Sequence, residues 1–82
     1  MENVIIDQRI VVAAVFMKDM VKPKWFVWSG RKYDIKEVTY TWDDTDGNAR
    51  IKRFAVSDGS TLFELSLNLN TLEWRLEKSV IE

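Results

Sequence analysis

Few residues in this chain could carry chemistry, and they fall into three groups. Asp43, Asp44 and Asp46 crowd a short acidic stretch ending at Gly47, which invites a calcium loop. Such a loop needs carboxylates at fixed spacing around an invariant glycine, strongest at its first and twelfth positions. With Gly47 as that glycine, those two positions fall on Trp42 and Arg53, so the stretch reads as a solvated hairpin loop and no metal site is expected. The second group is nucleophilic: Ser29, Ser57, Ser60, Ser66 and Ser79. A serine hydroxyl needs a base beside it, and the chain has no His and no Cys. It also lacks a Gly-x-Ser-x-Gly elbow and a glycine-rich phosphate loop, so neither an enzyme nor a cofactor is expected. The third group is a binding constellation, Lys24, Trp25, Arg31 and Lys32. Cations beside an indole can attract and stack an anionic partner.

The element that must position this third group is a β-hairpin. Pro23-Lys24-Trp25-Phe26-Val27-Trp28 and Arg31-Lys32-Tyr33 are strand-like and flank Ser29-Gly30, a tight-turn dipeptide. A two-residue turn there pairs Trp28 with Arg31, Phe26 with Tyr33 and Lys24 with Ile35. Phe26, Trp28 and Tyr33 then share one face, and Trp25 and Val27 the other.

Upstream, residues 1–8 are either a short strand or a frayed end. Ile10–Met17 is an uninterrupted apolar run whose β-branching favours a strand over a helix. Apolar residues on both of its faces imply that it is covered twice or meets another chain. Lys18–Lys22 reads as a connection closed by Pro23.

Downstream, the apolar phase switches between Ile35 and Val38, which places a β-bulge at Lys36-Glu37. An odd, three-residue loop with a left-handed Gly47 then sets Tyr40 opposite Phe54 and Val38 opposite Val56. Asp58-Gly59 as a two-residue turn pairs Phe54 with Phe63 and Arg53 with Glu64. A loop at Asn68–Thr71 pairs Leu67 with Leu72, Leu65 with Trp74 and Phe63 with Leu76. Glu64 would then lie between Arg53 and Arg75, with Trp28, Trp42 and Trp74 all in the core. The expected fold is all-β: one domain over residues 1–82, with five or six antiparallel strands forming a small SH3-like barrel or a strongly bent meander.

The pattern Pro23-x-x-Phe26-x-Trp28-x-Gly30-Arg31-x-Tyr33-x-Ile35-x-x-Val38-x-x-x-Trp42, with Phe63-Glu64-Leu65 and Trp74-x-Leu76, resembles a small bacterial β-domain of unknown function. That domain occurs alone and appended to proteins related to Y-family DNA polymerases. The resemblance covers roughly residues 10–78 and implies a barrel-like fold in a bacterial intracellular protein. It carries over no catalytic residue.

Charge separates along the chain. Lys18, Lys22, Lys24, Arg31, Lys32 and Lys36 against Asp19 and Asp34 give residues 18–36 a net charge of +4, although the whole chain carries −1. The N-terminus has no basic secretory n-region, and the longest apolar run is too short to span a bilayer, so a soluble cytoplasmic protein is expected. Two functions follow: a non-catalytic binding module presenting Lys24, Trp25, Arg31 and Lys32 to nucleic acid or an acidic protein, or an assembly protein forming a homodimer through Ile10–Met17.

Overall fold

The computed structural model describes residues 2–81, which form strands and turns alone. The strands are β1 (Glu2–Met17), β2 (Met20–Trp28), β3 (Arg31–Asp34), β4 (Glu37–Asp46), β5 (Ala49–Ser57), β6 (Thr61–Asn68) and β7 (Trp74–Ile81). They make one antiparallel sheet in the order β3-β2-β1-β7-β6-β5-β4. This is the cyclic order of a barrel cut open between β3 and β4, so the expected bent meander is present and the barrel is not closed. Among the described residues no helix is long and apolar enough to cross a membrane.

The sheet has two regions because β1 changes partner halfway along. Glu2–Ile10 pairs with β7, whereas Val11–Met17 pairs with β2. Segment 2–8 is therefore strand, kinked where Asp7 takes φ +49 and the register shifts. The three-stranded region (Val11–Met17, β2, β3) folds over the five-stranded one. Phe26 of β2 and Tyr33 of β3 reach Phe63 of β6 with ring centroids 5.2 and 5.5 Å apart. Both contacts are edge-on, the favoured aromatic geometry. Phe26, Phe54, Val56, Leu65, Leu67 and Leu76 are fully buried there, with Ile10, Phe63 and Trp74 completing the core.

The first hairpin has the register its sequence implies. Ser29 and Gly30 take φ +52 and +77, as a right-twisted two-residue turn requires, and Trp25↔Asp34, Phe26↔Tyr33, Val27↔Lys32 and Trp28↔Arg31 face each other. Upstream, the connection is shorter than expected: Lys18-Asp19 alone makes the turn, and β2 already begins at Met20.

The later hairpins differ from expectation in an instructive way. The Asp58 carboxylate accepts hydrogen bonds from the Ser60 and Thr61 amides (2.9 and 2.8 Å), widening the turn, so Phe54 faces Leu65 and Val56 faces Phe63. The next turn is displaced by one residue, with the Asn68 amide donating to the Glu73 carbonyl. Leu67 accordingly faces Trp74, and Leu65 faces Leu76. The Phe54, Leu65 and Leu67 pairings have slipped by two residues, which preserves the inner and outer faces while changing the partners; past a register shift between Glu64 and Leu65 the slip is three, and Phe63 faces Ser79. Ser66, not Glu64, stands between Arg53 and Arg75.

On β4 the faces themselves change. The register shift lies between Val38 and Tyr40, and the final turn contains only Gly47 and Asn48. Val38 does face Val56, but Tyr40 faces Ala55 and Trp42 faces Arg53 on the outer surface. Trp42 thus leaves the core and stacks on Tyr40, centroids 5.5 Å apart.

Candidate interaction surface on the three-stranded region

Alternation along β2 puts Phe26 and Trp28 inward and Trp25 and Val27 outward. Lys32, opposite Val27, lies over the Trp25 ring with Nζ 4.9 Å from its centroid, and is tethered to Asp34 at 3.6 Å. Arg31, opposite Trp28, belongs to the inner face and lies over Tyr33 at 5.4 Å. The four site residues read from the sequence are therefore divided: Trp25 and Lys32 are brought together, and Arg31 is on the other side of the hairpin. Lys24 is the extra residue of a bulge, since Ala14 faces Pro23 while Ala13 faces Trp25. Its carbonyl accepts from the Ile35 amide (2.9 Å), and its side chain is exposed.

The aliphatic part of this surface comes from β1, the apolar run whose two faces implied either a double cover or another chain. Val11 faces Val27, Ala13 faces Trp25, Val15 faces Lys22 and Met17 faces Met20. Val11 is 68% exposed, and Val15, Met17, Met20 and Val27 are exposed as well. The signal was present, because an apolar run without alternation must show one face outward unless something covers it. Lys18, Lys22 and Lys24 border this strip. Among the described residues, Lys18, Lys22, Lys24, Arg31 and Lys36 make no ion pair, and Lys32–Asp34 is the one pair in the region.

The outer face of β4–β7 has the opposite character. Arg53 reaches Asp44 at 2.8 Å, Glu64 at 3.3 Å and Glu77 at 3.7 Å, while the Ser66 hydroxyl donates to Glu77 at 2.6 Å. Arg75 holds Asp7 and Glu73 at 2.9 and 3.2 Å. Burial opposes the Arg53 charge, but the surrounding carboxylates, Asp44 first, raise its pKa above the ordinary value. The Thr45 amide and then Arg53 hold the Asp44 carboxyl below its usual range. Asp43 turns instead to Lys52 at 3.2 Å. These adjacent carboxylates thus point to opposite faces of one strand. Every buried side-chain polar atom among the described residues has a partner.

The structure defines a small open-barrel β-domain with one ion-paired outer face and one aliphatic, cation-bordered outer face. Comparison with known proteins yields no match: no family model, no curated protein and no solved structure is similar to the chain.

Proposed function

We propose that the protein is a non-catalytic interaction module whose docking surface is the outer face of β1–β3, and that its partner is anionic. The observation that carries this reading is the unpaired cations, Lys22 and Lys24 foremost, bordering exposed Val11, Val15 and Val27. Unpaired cations attract an acidic surface, and exposed aliphatic side chains gain from being covered by it.

Of the two anionic partners, an acidic protein segment fits better than single-stranded nucleic acid. A nucleobase would stack on an open indole, and Lys32 already occupies the Trp25 ring. The strip also offers aliphatic side chains, which suit leucine-like partners more than bases. Fluorescence anisotropy with a labelled Glu/Leu-rich peptide and a length-matched oligonucleotide tests this. The peptide should bind more tightly, weaken with added salt, and lose at least about tenfold in affinity with Lys22→Glu/Lys24→Glu. Tighter oligonucleotide binding would assign the surface to nucleic acid, and no binding of either at low salt would overturn the proposal.

A further inference from the structure

The sheet has strand edges that no other strand covers, and they are not equivalent. β3 offers four residues, three of them charged. β4 is bulged near Thr39 and carries Asp43, Asp44 and Asp46, so two such edges repel. Short length, charge and bulges are the usual protections against edge-to-edge pairing. Residues Val11–Met17 are neither short nor charged, and the one bulge in their pairing with β2, at Ala13/Ala14, has its extra residue, Lys24, on β2. β2 lies on one side of this segment, and β7 leaves the other side at Ile10, so an edge without a single charged residue is left unpaired.

We infer that this edge pairs antiparallel with the same edge of a second copy, about a two-fold axis through Ala14. The inference rests on the three-stranded region being the interaction surface, and it names one partner for its edge while leaving its outer face open. The sequence around Ala14 is self-complementary in that register. Val11 meets the partner's Met17, Val12 the partner's Phe16 and Ala13 the partner's Val15, apolar against apolar throughout. At Ile10 and Arg9 the same edge is taken by Trp74 and Arg75 of β7, so the new pairing spans Val11–Met17 alone. Asp19 forms no ion pair among the described residues and sits in the exposed turn that ends the edge.

The pairing preserves faces, so both outer surfaces join. Val27, Val11 and the partner's Met17 and Met20 form one continuous row, with Trp25, Ala13 and the partner's Val15 and Lys22 beside it. A six-stranded outer surface results, with the cations doubled. An edge of this length buries less than the roughly 1,200 Å² of a standard interface, so the dimer should be concentration-dependent.

The test is sedimentation equilibrium from about 10 µM to 1 mM, with three variants. The chain has no Cys, so Ala14→Cys introduces the one thiol. Facing Cα atoms about 4.5–5.5 Å apart lie within disulfide reach, so mild oxidation should give a covalent dimer in high yield. Val11→Lys/Met17→Lys sets like charges opposite each other and should raise the dissociation constant at least tenfold. Val11→Lys/Met17→Glu restores opposite charges and should dimerise markedly better than the double lysine variant. Both sites are exposed, so both variants should keep the melting temperature of the parent extrapolated to low concentration. A monomer at 1 mM, or equal association of the two double variants, would overturn the inference. A monomer that still binds the acidic peptide would refute the dimer alone, whereas a dimer that binds no anion would refute the docking surface alone.

Discussion

The two outer faces of this sheet are built from the same kinds of residue and treat them in opposite ways. Across β4–β7, charged side chains pair with one another: Arg53 serves three carboxylates and Arg75 two. Across β1–β3, Lys18, Lys22 and Lys24 pair with no carboxylate among the described residues, and Val11, Val15 and Val27 are exposed. Both regions share one core through Phe26, Tyr33 and Phe63, so the difference does not reflect poorer folding of one part. It separates a face whose charges are paired with one another from a face whose cations and aliphatic side chains stand open, and on that contrast the proposed docking surface rests.

The shared core is the first place to break this comparison. Phe26→Ala should cost about 3–5 kcal/mol, since it removes a fully buried ring that spans both regions. Urea unfolding followed by Trp fluorescence and by far-UV circular dichroism should remain one coincident transition. Separate transitions would mean that the three-stranded region melts alone. A smaller effect is expected from Arg53→Met, which leaves Glu64, Glu77 and Asp44 without their common partner on a largely covered face. About 1–3 kcal/mol should be lost in the same assay. A loss near zero would show that the network is merely surface decoration.

Acid should weaken the ion-paired region first. The Thr45 amide, then Arg53, lowers the Asp44 pKa, and at Asp58 the Ser60 and Thr61 amides outweigh the opposing effect of burial. Each carboxyl therefore holds its proton less tightly folded than unfolded. Its contribution is fully present above the ordinary value of 3.8 and is lost as pH falls through the lower folded value. The urea midpoint should fall as pH drops below 3.8, and Asp44→Asn/Asp58→Asn should flatten that fall. An unchanged acid slope in the double variant would contradict the assignment. The smallest effect belongs to the other face, where Val27→Lys should change stability by no more than about 0.5 kcal/mol.

What the sequence made legible follows a physical rule. Alternation and turn dipeptides fixed which face each residue of β5, β6 and residues 74–77 presents, because a slip by two preserves it; they fixed neither the facing partners nor the phase of the end of β7, where the register shifts and Ser79 turns inward. That depended on side chains in the turns. The Asp58 carboxylate capturing two amides makes a longer turn than Asp-Gly alone suggests, and Leu72 at φ +64 displaces the last one. Trp42 was misplaced because one bulge residue near Thr39 and an even turn at Gly47-Asn48 together mimic an odd loop at the far end of the strand. At the candidate surface, the pairing of Trp25 with Lys32 followed from the Ser-Gly register. The placement of Arg31 on the inner face followed from the same register but was lost when residues were grouped by charge alone.

We propose the outer face of β1–β3, and not that of β4–β7, as the docking surface. Amide chemical-shift mapping during titration with a Glu/Leu-rich peptide at low salt addresses this directly. Lys22, Lys24, Trp25, Val27 and Lys32 should shift first and together, while Arg53, Ser66 and Arg75 stay still. Shifts centred on Arg53 and Arg75, or spread evenly over both faces, would contradict it.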